Sequence, residues 1–300
     1  MTQDAATQKT ILPGPLTSIM MAAGLTGRDR RAMERAVALS AVHGARLVFL
    51  HVMSEEVPAS VRDRVAQAVR DEIESAIADA PAADRSAVDI RIVSGKGYRE
   101  ILAAADAAEC DLIVMGTHAY TVGDSAGAGT TMERVLRHGK RPVLVVPDRA
   151  VERYSKVVIG VDFSVHSRFA IRHAAAFAPG AELFAVHAFQ VPFTAFMPGG
   201  ETRQAVQDQH IEELQEMIDQ EMDLLLSSAG LGAGSLTAPH KVVVHGQAGD
   251  VLRAEVKRLQ PDLLVLGTHG RVGIAHSMLG SVAEDFLNRP PCDVLAVKAW

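Results

Sequence analysis

Short runs of aliphatic and β-branched residues alternate along this chain with longer stretches whose apolar residues recur every three or four positions. Residues 157–162, 182–188, 241–244, 262–266 and 293–297 are runs of the first kind and predict strands. Between them the spacing predicts helices over about 167–177, 205–228, 251–259 and 281–288. In the longest of these, Ile211, Leu214, Ile218, Met222 and Leu225 fall on one face. The first 150 residues follow the same order, with Val61, Val65, Val69, Ile73 and Ile77 striping a long helix. Strands separated by helices imply right-handed βαβ crossovers and a parallel sheet. The unbroken runs DLIVMG and DLLVLG suit strands buried on both faces.

These two runs are copies of one another. Cys110–Tyr120 mirrors Pro261–Arg271, an offset of 151, and Gly129–Arg137 mirrors Gly280–Asn288 at the same offset. Val143–Pro147 likewise mirrors Val294–Lys298, and Ala45–Met53 resembles Ala181–Phe189. Matches in one order indicate a duplicated domain. The expected division is residues 1–150 and 151–300, with the boundary in the charged junction from Arg149 to Lys156. A five-strand doubly wound sheet commonly has the order 3-2-1-4-5, which sets strands 1 and 4 together at the topological switch point. Ligands bind such sheets at the carboxyl ends of those strands. In the second half these ends are Asp162 and Gly267.

Gly267 opens a pattern, G-x2-G-x9-G-[S/T], that also contains Gly270, Gly280 and Ser281. Glycines at 267 and 270 let the backbone turn sharply and approach a ligand closely. Gly280 and Ser281 start the next helix, where unpaired amides and the helix dipole favour phosphate oxygens. The loop between holds Arg271 and His276 and no acid, which suits a polyanion. Four fixed positions of this kind recur by chance in roughly 1–3% of chains this long. Placement opposite Asp162 gives the pattern its weight.

With these residues in view, the sequence resembles the universal stress protein family over nearly its whole length, as two copies. The resemblance rests on Val161-Asp162-Phe-Ser164, Val186-His187-Ala188 and the Gly267–Ser281 pattern. It implies two Rossmann-like α/β domains of the adenine nucleotide alpha hydrolase-like kind, each a five-stranded, mostly parallel sheet flanked by helices. It also implies ATP, carried with Mg, in the second domain. Asp162 would lie by the ribose and phosphates or their metal, and backbone near Val161 and Ala188 would meet the adenine. Gly267, Gly270, Gly280, Ser281 and Val282 would hold the ribose and triphosphate, with Arg271 nearby. The last strand of each half, 143–146 and 294–297, is apolar and would leave an exposed edge if unpaired. Antiparallel pairing of the two would make the chain an intramolecular pseudo-dimer, as the family's pairing through these strands also implies. A homodimer of chains is left open.

The first half departs from the pattern. Gly24 stands where Asp162 stands, Ala119 replaces the second glycine, and Asp124 enters the loop, although Gly116, Gly129 and Thr130 remain. A carboxylate in that loop would repel phosphate, so this domain is expected to be a structural partner without triphosphate.

Composition narrows the classes. Hydrophobic residues make up 48% of the chain and aromatics 4%, so the cores must be aliphatic. A net charge of −6 argues against nucleic acid and against a basic membrane-surface role. Cys110 and Cys292 lie far apart without ligand spacing, which reads as reduced thiols. No apolar run suits a membrane span or a signal peptide, and the expected location is the cytoplasm.

Competing motifs fare poorly. No GxxxxGK[ST] occurs. The single GxSxG, Gly123–Gly127, follows its strand by several residues, whereas a nucleophile elbow needs the turn itself. His118 and His269 repeat one strand-end position and His51 and His187 another, which reads as structural or nucleotide-adjacent, not as a metal cluster. The basic stretch Arg137–Arg141 reads as a solvated helix end and residues 190–201 as a surface loop. Three functions remain: an ATP-binding stress-response regulator with slow or no hydrolysis, a scaffold without a nucleotide site, and an adenylyl-transferring enzyme. The third lacks an HxGH-type motif and a placed general base. The chain is therefore expected not to be an enzyme.

Overall fold

The computed structural model describes residues 16–24, 29–79, 88–117, 130–147, 153–191, 201–232, 238–268 and 279–298. The first half runs β1 (Ser18–Ala22), α1 (Asp29–His43), β2 (Arg46–Met53), α2 (Ala59–Asp79), β3 (Val88–Ser94), α3 (Gly97–Ala107), β4 (Leu112–Gly116), α4 (Thr131–His138) and β5 (Val143–Val146). The second repeats it as β6 (Lys156–Val161), α5 (Val165–Phe177), β7 (Glu182–Phe189), α6 (Glu201–Ser228), β8 (His240–His245), α7 (Ala248–Leu259), β9 (Leu263–Gly267), α8 (Ser281–Asn288) and β10 (Asp293–Val297). Expected helices are present, but α5, α6 and α7 begin two to four residues earlier than apolar spacing indicates. The earlier start of α5 is fixed by a cap, Ser164 accepting from the Ser167 amide.

All ten strands form one sheet in the order β3-β2-β1-β4-β5-β10-β9-β6-β7-β8. Each half thus has the expected 3-2-1-4-5 order, parallel throughout, and the two meet through an antiparallel β5–β10 pair. Both last edges are thereby consumed. Buried side chains divide between two layers. One face packs against α1, α2, α5 and α6, the other against α3, α4, α7 and α8, and each layer is continuous across both halves.

The duplication extends to polar details. Asp111 Oδ2 accepts from the amides of Thr17 and Ser18 and from the Thr17 hydroxyl. Asp262 Oδ2 accepts from the amides of Ser155 and Lys156 and from the Ser155 hydroxyl. Asp262 therefore precedes β9 and ties down the start of β6. Among the described residues no helix is long and apolar enough to cross a membrane.

Candidate functional site

Strand β6 ends at Val161, and Asp162 is the first residue beyond it. Oδ1 of Asp162 accepts from the Ser164 amide at 3.0 Å and from the Ser167 hydroxyl at 2.5 Å. The Asp162 amide donates back to Ser167 Oγ at 2.9 Å. Oδ2 makes no hydrogen bond to the described residues, so one oxygen is anchored and the other is uncommitted. The turn is strained: Phe163 has φ 60°, the left-handed region that bulky side chains avoid. Its ring lies against His187, centroids 4.4 Å apart. His187 in turn donates from Nδ1 to the Val161 carbonyl at 2.7 Å, a contact that fixes the proton on Nδ1 because a carbonyl only accepts. His51 makes the same bond to Ala23 in the first half, at 2.8 Å. This histidine pair is structural, tying the end of one strand to its neighbour.

The facing wall comes from β9 and α8. The Gly280 amide donates to the Thr268 carbonyl, closing the base of the loop between them, and the Thr268 amide donates to Val297. Gly280 caps α8 without a side-chain hydrogen bond. The first-turn amides of α8 thus have no intrahelical acceptor and no side-chain cap, the arrangement that receives anions. The equivalent start of α4 is closed. Thr130 accepts from the Glu133 amide while Glu133 accepts from the Thr130 amide, a reciprocal capping box.

Between these walls lies a cleft of about 230 Å³. It gathers Val161, Asp162, Ala188, Gly267, Gly280, Ser281 and Val282 from the sequence-derived set. Gly270 and Arg271 lie outside the described residues, as do His118, Ala119, Asp124, the Gly123–Gly127 motif, His269 and His276. Sequence reasoning missed Ser167 and the apolar wall of α7, formed by Ala248, Val251 and Leu252. The only signal for Ser167 was its place in the turn after Asp162; α7 needed the fold to bring it over the strand ends. Gly267 has a packing reason of its own, since a Cβ there would sit 2.9 Å from His166 Cβ. Burial lowers the His166 pKa, and the nearby Asp162 opposes the shift.

No group of three or more His, Cys, Asp or Glu is placed to hold a metal among the described residues. Asp162, with one oxygen uncommitted, fits a metal that arrives on phosphate and not a resident ion.

The strand register sets the first half against the second. Ile19 pairs with Leu112 and Val157 with Leu263, so β1 and β6 align at an offset of 138. This carries Gly24 onto Asp162, as expected, and Asp29 onto Ser167. The acid is displaced by five residues, not simply lost. Asp29 is fully buried at the start of α1, and a Cβ on Gly116 would meet its Oδ1 at 2.5 Å. The carboxylate that addresses the cleft in one half is packed under the strand end in the other.

The sequence profile of the universal stress protein family matches residues 16–147 and 153–298. The chain belongs to that family. A curated relative, Universal stress protein MJ0531 of Methanocaldococcus jannaschii, is 28% identical over 147 residues, 48% of this chain and 82% of its own. A universal stress protein structure from Archaeoglobus fulgidus covers 94% of this chain and 96% of its own at 18% identity, with TM-score 0.66. Another family structure from Archaeoglobus fulgidus, in complex with dAMP, covers 44% of this chain and 98% of its own at 15% identity, with TM-score 0.35.

Proposed function

We propose that the second half of this universal stress protein binds one ATP per chain, as a regulatory ligand turned over slowly or not at all. The observation that carries this reading is the contrast between α8 and α4. In the second half a carboxylate and an uncapped helix start face each other across an apolar cleft, whereas in the first the helix start is closed by Thr130 and Glu133. The adenine would lie against Val161, Ala188 and the α7 wall, and the phosphates at Gly280, Ser281 and Val282. Asp162 Oδ2 would meet the Mg that accompanies them. Gly270 and Arg271 would complete the loop. The protein would act as a cytoplasmic stress-response regulator, with no nucleic-acid or membrane partner.

Equilibrium calorimetry of the purified chain with ATP and magnesium tests the reading. The expected result is a stoichiometry of one, lost or strongly weakened in Asp162→Ala. Two sites per chain, or undiminished binding in that variant, would overturn it. A second reading has its own observation: Gly267 is needed for the approach of His166 whether or not a ligand binds. On that reading the chain is a scaffold, and calorimetry shows no binding at all.

A further inference from the structure

The first half carries a cluster of cations with no counterpart in its duplicate. On the outer surface of α3 and α4, Arg99 lies 5.8 Å and Arg134 5.4 Å from the Tyr98 ring centroid. The His138 ring lies 5.9 Å away, and Arg99 Nε donates to the Tyr98 hydroxyl at 3.0 Å. The Arg99 hydrogen bond, and then the charges of Arg99, Arg134 and Lys96, lower the Tyr98 pKa against the opposing effect of burial. Two acids adjoin these cations in sequence: Glu133 is held in the capping box of α4, and Glu100, which follows Arg99, has its side chain over Gly95. At the offset of 151 the matching residues are Gln247, Gly249, Asp250, Asp285 and Arg289. The fold therefore does not require an aromatic ring among cations here; this half alone has one, in a chain whose net charge is −6.

The opposite surface is found on α6. Glu213, Glu216 and Glu221 are exposed there beside Met217 and Leu224, which are 57% and 72% exposed. Glu213, Met217, Gln220 and Leu224 recur at three-to-four spacing and form one outward stripe. The inner acids Asp219 and Asp223 are neutralised by Lys241, but no such ion pair is found for the outer three among the described residues. An acidic ridge with two exposed apolar side chains fits a basic surface with an aromatic pad. Within one chain the two cannot meet. Helix α6 packs beside β8, at the far edge of the sheet, on the face opposite α3 and α4.

We propose that the Tyr98-centred patch of one chain docks the α6 ridge of a second copy, giving head-to-tail association through charge complementarity. The contact does not involve the nucleotide cleft or the β5–β10 pair.

Sedimentation velocity of the full chain, across protein concentration and at low and high salt, is the test. The expected result is concentration-dependent association that weakens as salt rises, since exposed charges are screened within about 10 Å at 0.1 M. Arg99→Glu/Arg134→Glu should weaken association at least about tenfold, and so should Glu213→Lys/Glu216→Lys/Glu221→Lys. Mixing the two charge-reversed proteins should restore a complex, because each then carries the complement of the other. Circular dichroism shows whether each variant keeps its fold; if either does not, single reversals at Arg99 and Glu221 take their place. The proposal fails if the chain stays monomeric at low salt, or if association is indifferent to both reversals. It fails as well if the mixture does not recover, or if the patch variant loses binding to a nucleic-acid probe while self-association is unchanged.

Discussion

Leu144 on β5 lies opposite Leu295 on β10, its own counterpart in the duplicated half. A residue can face its own copy only on a twofold axis, so the axis relating the halves passes between these two side chains. Both are buried, in the same core layer. The chain is thus built as a dimer of halves, with the edges that would otherwise pair between molecules used inside one. The symmetry is broken beside the axis. Arg35 of α1 reaches Asp293 of β10 at 3.0 Å, and Tyr154 donates to the same carboxylate oxygen at 2.6 Å. All three are buried, and the Arg35 guanidinium lies 4.7 Å from the Tyr154 ring centroid. The equivalent residues are His173, Pro142 and Leu16, so the cluster exists once.

Removing one partner of this pair should be far worse than removing both. Arg35→Met leaves the Asp293 carboxylate buried without its guanidinium, which should cost about 3–5 kcal/mol. Arg35→Met/Asp293→Leu removes both charges and should recover most of that loss. Urea unfolding of the two single variants and the double variant gives the coupling directly. Additive losses would show that the charges do not depend on one another.

Tyr154 makes stability depend on alkaline pH. Burial, then the Asp293 charge, holds its hydroxyl well above the ordinary tyrosine pKa. The unfolded tyrosine loses its proton near pH 10 while the folded one keeps it, so the unfolded state binds fewer protons and stability falls as pH rises. The contribution is complete below about pH 10 and declines above it. Tyr154→Phe should cost about 1.5–3 kcal/mol at neutral pH, through the lost hydrogen bond to a charged acceptor. It should also flatten the alkaline decline. Denaturant midpoints from pH 8 to 11 check both, and a decline of the same slope in wild type and variant would refute the assignment.

The sheet order, the duplication and most of the cleft were legible in the sequence for one reason. Parallel strands buried on both faces leave unbroken apolar runs, and the switch-point rule then says which strand ends face a ligand. What escaped depends on contacts distant in sequence. The α7 wall is brought over β6 and β7 only by the crossover. Asp29 could not be recognised as the displaced acid, because its equivalence to Ser167 is a matter of register within the sheet. The Arg35–Asp293 pair joins residues from different halves with no periodic signal. Gly267 was read as a ligand contact, yet His166 gives it a reason within the fold.

Two glycines separate binding from packing. Gly267→Ala places a Cβ against His166 and should destabilise the fold by about 1–3 kcal/mol, so weaker binding there says little about a ligand. Gly280 has φ −63°, which any residue adopts. Gly280→Val should therefore fold, at the modest cost of a poorer N-cap, while blocking the start of α8, and ATP binding should be abolished. Normal affinity in a folded Gly280→Val protein would place the phosphates elsewhere.

Turnover distinguishes a regulator from an enzyme. Phosphoryl transfer requires an aligned nucleophile, a metal and charge stabilisation at the γ-phosphate. On the proposed reading Asp162 would offer one carboxylate oxygen toward a metal, and Arg271 of the loop sequence would supply charge. From Thr268 to Val282 the chain has no Glu, Gln or Asp to orient an attacking water. The bases in that stretch are His269 and His276, and nearby His166 has its pKa lowered by burial. A neutral His166 would accept a proton, but its backbone packs against Gly267, a placement that serves the strand end. Steady-state phosphate release at saturating ATP and magnesium should therefore fall orders of magnitude below the roughly 1–100 per second of kinases. Asp162→Ala should reduce binding more than it changes this residual rate per bound nucleotide. A kinase-like rate abolished by Asp162→Ala would mean that the carboxylate works in catalysis, and that the cleft was built for a reaction instead of a signal.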